Sequence, residues 1–338
     1  MVEGAAASQG EPTLNDVLRA REAVGRLARR TPLLRFSPLD ERIGRAVYLK
    51  LENLQETGSF KVRGAANRIA ALSPEERARG VVTVSTGNHA RAVAWVACRF
   101  GIPATVCMSR RVPPGKVQAV RALGAEVRLV GESYDEAALE CARLEREQGL
   151  TYIPPFDDPW VIAGQGTIGL EILDDSPEID TAVVPLSGGG LISGIALALK
   201  SVRPEVRVIG VSQDRAPVMA CSLKAGRPIE LPEEETLADA LAGGIGLHNR
   251  YTFRLVQRLV DDVVLVSEEE IAAAIVFALQ ALHLVVEGGG AVGLAALLQG
   301  RICPLGRHIA VVLSGGNIDL ERLQEIIAQH GPSRGGVR

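Results

Sequence analysis

Aromatic side chains are scarce: six phenylalanines, four tyrosines and two tryptophans stand among 338 residues. That is too few for the stacking platforms on which single-stranded nucleic acids are held. Positive charge is not in excess either. The formal net charge is −3 and no long basic run occurs, which argues against a nucleic-acid surface. Long apolar runs are missing; Val183–Leu186 and Ile309–Leu313 are strand-sized and end in turn residues, so no membrane span is expected. Cys98, Cys107, Cys141, Cys221 and Cys303 are dispersed, odd in number and without a C-x-x-C pair. Neither a zinc site nor a disulfide framework follows, and the residues read as small buried or neutral groups in a reducing cytoplasm. Met1–Pro12 lacks a basic region ahead of an apolar core, so a disordered head is expected there, not a signal peptide. The glycine-rich tail over 331–338 reads as disordered too.

Lysine is the other scarcity. Only five occur, at positions 50, 61, 116, 200 and 224. Arginine cannot replace lysine in forming an imine with an aldehyde, because its guanidinium stays protonated. Lys61 follows the small-residue turn Thr57-Gly58-Ser59-Phe60, and Arg63-Gly64-Ala65-Ala66 then reads as a helix carrying it near its start. A helix N-terminus disfavours a nearby cation and lowers the lysine pKa. An exposed lysine at a helix start is the other reading.

What is abundant is strand–helix alternation. Strands are expected at Ala46–Leu51, Val81–Ser85, Ala104–Met108, Glu126–Val130, Ala182–Leu186, Arg207–Val211, Asp262–Val266 and His308–Leu313. Helices are expected at Glu75–Arg79, His89–Phe100, Lys116–Leu123, Ser133–Gln148, Thr167–Asp174, Gly190–Ser201, Glu268–Ala281 and Ala291–Gln299. Near-continuous apolar strands alternating with helices indicate an α/β fold with parallel sheet. In such sheets ligands bind outside the carboxyl ends of strands. Three glycine-rich turns follow strand ends and can converge on one cleft: Thr86-Gly87-Asn88, Ser187-Gly188-Gly189-Gly190 and Ser314-Gly315-Gly316-Asn317.

Each turn has its own chemistry. Ser187 to Leu191 would expose backbone N–H groups at a helix N-terminus, suiting one phosphate ester. No Lys-Ser/Thr ending and no G-x-G-x-x-G spacing accompany it, so a nucleotide loop is not indicated. A glycine-packed strand–helix turn is the plainer reading. Ser85, Thr86, Asn88 and His89 place small polar groups where hydroxyls, an amide and helix N–H groups can grip a carboxylate. His89 can be a base or a structural residue. Ser314 is either a turn former or an uncharged partner for a pyridine nitrogen. Glu287 either orients a nearby loop or caps the helix expected from Ala291.

A lysine at a helix start, a carboxylate-gripping turn, a phosphate cup and a serine for a ring nitrogen, in this order, resemble the threonine dehydratase–serine racemase family of fold type II pyridoxal-phosphate enzymes. The resemblance runs from about Thr13 to Ile327. It includes Leu49-Lys50-Leu51-Glu52, Gly58 to Ala65, Gly87-Asn88-His89-Ala90, Gly164-Gln165-Gly166-Thr167 and Ser187–Gly190. It implies two open, twisted, mostly parallel sheets flanked by helices. The large domain is expected at 1–72 plus 156–338, and a small mobile domain at 73–155. It also implies Lys61 as the Schiff-base lysine, Phe60 as a ring-packing neighbour and Asn88 as partner of the ring's phenolic oxygen. Ser187, Gly188, Gly189, Gly190 and Leu191 correspond to the phosphate cup, and Ser314 to the ring-nitrogen serine. Ser85, Thr86, Asn88, His89 and Arg91 fall in the substrate-binding loop, with Thr86 a second catalytic candidate.

Departures from the family pattern shape the expectation. Thr86 stands where racemases carry serine, and Ser212 where many relatives carry a metal-binding glutamate, so no metal is expected. Arg91 stands where glutamine is common. The chain ends soon after Ser314, so isoleucine feedback through an appended domain is not expected. Ser85–Arg91, Pro154–Asp157 and Gly243–Phe253 look most like the hydroxyectoine-utilisation dehydratase branch. The resemblance implies a dehydratase that eliminates water from a 3-hydroxy amino acid, yielding an oxo acid and ammonia, and a homodimer. Racemisation or β-replacement on the same cofactor is the enzymatic alternative. A catalytically silent ligand-binding protein of the same fold is the non-enzymatic one.

Overall fold

The computed structural model describes residues 10–331. The expected head and tail therefore lie mostly outside the described residues. Gly10–Pro12 are described, and there Glu11 accepts a 2.8 Å hydrogen bond from Arg258 while Pro12 is buried.

Ten strands form two sheets. In chain order they are β1 (Leu33–Arg35), β2 (Ala46–Leu51), β3 (Val81–Val84), β4 (Ala104–Met108) and β5 (Glu126–Leu129). Then come β6 (Thr151–Tyr152), β7 (Thr181–Pro185), β8 (Arg207–Gln213), β9 (Asp262–Val266) and β10 (His308–Leu313). The larger sheet runs β1-β2-β10-β7-β8-β9 and the smaller β5-β4-β3-β6. All pairs are parallel except β1 with β2. Strand β10 explains why its run is apolar throughout. Ile309, Val311 and Leu313 face one core with Val292 and Ala295, and Ala310 and Val312 face the other with Ile192 and Ala196.

The two shortest strands, β1 and β6, were not anticipated; three and two residues carry too little alternation to read. Helices Leu14–Gly25, Ser37–Ile43, Val218–Ala225, Thr252–Leu259 and Leu320–His330 were also missed. Two helices begin three or more residues earlier than expected, each through glycines that look like loop. One spans Pro159–Asp175: Asp158 accepts the Val161 N–H at 2.9 Å as N-cap, and Pro159 opens the first turn. The other spans Gly288–Leu298 and starts three residues before Ala291.

These glycines allow backbones to approach, not to flex. A Cβ on Gly164 would lie 2.7 Å from the Arg63 carbonyl oxygen, and one on Gly194 2.6 Å from the Gly166 nitrogen. The Lys61–Ala70, Pro159–Asp175 and Gly190–Val202 helices are thus seated at backbone distance. A buried ionic cluster bolts the first two together. Arg63 donates to Glu52 through Nε and Nη2, both 2.8 Å, and to Glu171 through Nη1 at 2.6 Å and Nη2 at 2.8 Å. Lys50 donates to Glu171 and to the Thr31 carbonyl, each at 2.6 Å. Burial works against the Glu52 charge, but Arg63 outweighs it and holds that carboxyl below its ordinary pKa.

Candidate active site

The carboxyl ends of β10 and β7 are adjacent in the larger sheet, so the loops they feed, at Ser314 and Ser187, open side by side. The lysine loop is laced onto the first of these. Phe60 N–H donates to the Ser314 carbonyl at 3.0 Å, Gly316 N–H donates to the Gly58 carbonyl at 2.9 Å, and Ser59 bridges Gly315. Gly58 sits at φ +75°, a left-handed turn that suits glycine, and it delivers Lys61 to the first position of its helix.

Lys61 Nζ donates to the Pro155 carbonyl at 2.7 Å and lies 5.2 Å from the Phe60 ring centre. Burial pushes its pKa down to about 8, against the opposing pull of Glu287. Pro155 also connects the lysine to the glycine loop. Its neighbour Phe156 packs under that loop: a Cβ on Gly188 would collide with its ring, and one on Gly190 would lie 2.9 Å from its Cα. Gly189 takes φ +85° as the N-cap of the Gly190–Val202 helix. Ser193 N–H donates to the Gly189 carbonyl at 2.9 Å, so the amides before it have no carbonyl behind them in the helix. Such amides at a helix N-terminus make a cup that can hold an anion.

Asn88 opens the Asn88–Phe100 helix after β3 and reaches across to the larger sheet. Its Nδ2 donates to Glu287 Oε1 at 2.6 Å, and its Oδ1 accepts from Asn317 Nδ2 at 2.6 Å. Glu287 Oε2 also accepts the Asn317 N–H at 3.1 Å. The Glu287 side chain therefore orients loops and does not cap its own helix. Ser314 is buried, with a 3.4 Å contact from Oγ to the Gly289 carbonyl.

Lys61, Phe60, Ser314 and the 187–191 loop are thus joined through direct contacts or through Pro155 and Phe156, and Asn88 is tied to them through Glu287 and Asn317. Ser85 and Thr86 lie partly exposed in the turn before Asn88, and the Gly87 N–H donates to Ser85 Oγ at 3.3 Å. His89 is different. Its ring is buried and Nε2–H donates to the Ile153 carbonyl at 2.9 Å. Burial and the nearby Lys61 push its pKa down to about 3, so the ring is neutral. Arg91 is half-buried one turn after Asn88, and its Nε is buried without a hydrogen-bond partner among the described residues.

Sequence reasoning gave no role to Asn317, Phe156 or the Pro155 carbonyl. Each acts through a contact between residues far apart in the chain; Asn88 and Asn317 are 229 positions apart. Only the Pro-Pro-Phe-Asp run offered a local signal. Among the described residues no cluster of three or more His, Cys, Asp or Glu is placed to hold a metal. Cys107 and Cys141 are buried, whereas Cys98 and Cys303 are exposed.

The chemistry fits pyridoxal phosphate. A desolvated lysine amine suits an aldehyde, the cup where a Cβ would strike Phe156 suits the phosphate ester, and the uncharged Ser314 suits a pyridine nitrogen. The sequence pattern of the pyridoxal-phosphate dependent enzymes matches residues 24–315. An L-threonine ammonia-lyase of Thermotoga maritima is 49% identical over 93% of this chain and 78% of its own length. Maize serine racemase superposes with TM-score 0.89 at 37% identity, covering 95% of this chain and 98% of its own. The processed form of threonine deaminase isoform 2 from Solanum lycopersicum superposes with TM-score 0.88 at 37% identity, over 98% of this chain and 93% of its own. With Lys61, Ser314 and the 187–191 loop assembled near the carboxyl ends of the larger sheet, this chain belongs to the family of pyridoxal-phosphate dependent enzymes.

Proposed function

We propose that the protein is a dehydratase that eliminates water from a 3-hydroxy amino acid and releases an oxo acid and ammonia. The observation that carries this reading is Lys61: a half-buried amine with a pKa near 8, held at the Pro155 carbonyl beside the cup. When bound, pyridoxal phosphate supplies the electron sink that stabilises negative charge at the substrate α-carbon. Lys61, as a neutral amine, would take the α-proton. Ser85, Thr86, Asn88 and the first amides of the Asn88–Phe100 helix hold the substrate carboxylate. Ser314, as a hydroxyl, leaves the ring nitrogen uncharged, which favours loss of the β-hydroxyl over reprotonation on the other face. The hydroxyl would leave as water together with the proton removed from the α-carbon, and the enamine set free would tautomerise and take up one water to give the oxo acid and ammonia.

Arg91 meets the polar end of the substrate side chain. Residues 73–155 form the small mobile domain, and 1–72 with 156–338 the large one. The protein works as a cytoplasmic homodimer. Support for the reaction comes from the L-threonine ammonia-lyase and threonine deaminase relatives, whose matches cover 93% and 98% of this chain. The test is a panel of threonine, serine, 3-hydroxyaspartate and a hydroxyectoine-derived hydroxy amino acid, assayed for ammonia and oxo acid. Inverted amino acid, or a thioether formed with added thiol, in excess of ammonia would refute dehydration.

A further inference from the structure

The carboxylate of Glu287 is buried at a point where two chain segments meet Asn88, and both of its oxygens face donors. Oε1 takes the Asn88 Nδ2–H at 2.6 Å and Oε2 takes the Asn317 N–H at 3.1 Å. The amide orientations follow from a fixed end. The Thr57 carbonyl can only accept, so Asn317 presents Nδ2 to it at 2.8 Å, and the same Nδ2 donates to Asn88 Oδ1 at 2.6 Å. Asn88 must then turn Nδ2 toward Glu287. That leaves one Asn88 N–H outside the network, on a partly exposed residue in the loop beside the lysine.

We propose that Glu287 is a positioning residue: as a carboxylate it locks the Asn88 amide with its spare N–H aimed at the ring oxygen of the cofactor, and on protonation it lets that amide go. The argument is one of donor count. Two N–H groups converge on the side chain, and a carboxylate accepts both at full strength. A protonated carboxyl keeps only its carbonyl oxygen as a strong acceptor, and a glutamine turns its own N–H against one of the two donors. This role rests on the reading of Asn88 as the ring-oxygen partner.

The electrical surroundings place the switch in a useful range. Burial raises the Glu287 pKa to about 7, Asp239 adds to the rise, and the bonds from Asn88 and Asn317 with the charge of Lys116 oppose it. Lys61 also faces it, since Glu287 raises the lysine pKa. Lys116 is itself paired with Asp239 at 3.3 Å and offsets only part of the rise that Asp239 causes.

The test is pyridoxal-phosphate affinity, titrated by protein fluorescence after cofactor removal. It is measured at pH 6 and pH 8 for wild type, Glu287→Gln, Asn88→Ala and the double variant. Affinities are compared as ratios to wild type at each pH, so that ionisation of the phosphate cancels. Loss of one hydrogen bond to a charged group predicts about tenfold weaker binding for Glu287→Gln at pH 8 and less than about twofold at pH 6. The double variant is expected to bind no more weakly than Asn88→Ala alone. A Glu287→Gln penalty equal at both pH values, or one that adds in full to Asn88→Ala, would overturn the proposal. If circular dichroism shows that Glu287→Gln does not fold, Asn317→Ala takes its place. It removes the other clamp and must weaken binding alone but add nothing to Asn88→Ala. Asn88→Ala binding like wild type would refute the ring-oxygen contact and this role with it, while wild-type protein that bound no pyridoxal phosphate would refute the functional reading beneath both.

Discussion

Replacing Arg63 with methionine tests whether the buried ionic cluster holds the lysine helix in place. The guanidinium makes four hydrogen bonds to carboxylate oxygens, two on Glu52 and two on Glu171, and is fully buried. Summed as charge-assisted bonds these would exceed about 6 kcal/mol, but bonds that share partners do not add. Removing one partner of a buried ion pair costs about 3–5 kcal/mol, chiefly because the other charge is stranded. Here Glu52 and Glu171 would be left with Lys50 as their one buried cation.

The pH dependence has a definite sign. In the wild type the Glu52 pKa is depressed, so its contribution is fully present above the ordinary carboxylate value of 4.5 and is lost as pH falls below it. In Arg63→Met burial is no longer outweighed, and the Glu52 pKa moves up. The folded variant then binds a proton that the unfolded chain does not, and its stability declines as pH rises from 5. The deficit measured by urea unfolding is therefore expected to be about 3–5 kcal/mol at pH 8 and smaller at pH 5. Arg63→Lys should fall between, because an ammonium cannot fork to both carboxylates. A deficit below about 1 kcal/mol at pH 8, or one independent of pH, would refute this account of the cluster.

Two further outcomes follow from the site. Because Lys61 is pushed down to about pH 8, reconstitution of cofactor-free protein should speed up as pH rises through that value, when the amine becomes neutral; stopped-flow absorbance reads the midpoint, and a midpoint near 10 would show that burial does not tune the lysine. Gly188→Ala places a methyl into the Phe156 ring, so phosphate-cup binding should weaken by about 1–3 kcal/mol, while Gly188→Ala combined with Phe156→Ala recovers part of it; isothermal titration with pyridoxal phosphate checks both, and no recovery would mean that Phe156 does not set the cup.

The sheets were legible because their strands are buried on both faces, which makes β7, β8 and β10 nearly uninterrupted apolar runs. The reactive loops were legible for a different reason: Gly58 and Gly189 occupy positive φ in the turns that lead into helices, where composition alone marks a turn. The same residue type misled elsewhere. Gly164, Gly166, Gly288 and Gly290 lie inside helices, and what they accommodate is a neighbouring backbone that no local pattern reveals. The Asn88–Glu287–Asn317 network was out of reach for the same reason, since its members are brought together only by the pairing of sheet ends. The Asp158-Pro159 start of its helix, by contrast, stood in plain view and was passed over because Gly164 and Gly166 follow it.

The glycine seats between the three helices have a consequence for how this site can vary. The spacing between the amine of Lys61 and the cup at Ser187 is gauged by main chain resting on main chain at Gly164, Gly166 and Gly194. Side chains can be exchanged around such a gauge without altering its reading. The loop after β3, which hangs from the other sheet, lies off the gauge. Selection can therefore retailor what that loop admits, Arg91 included, while the ruler between amine and phosphate keeps its length.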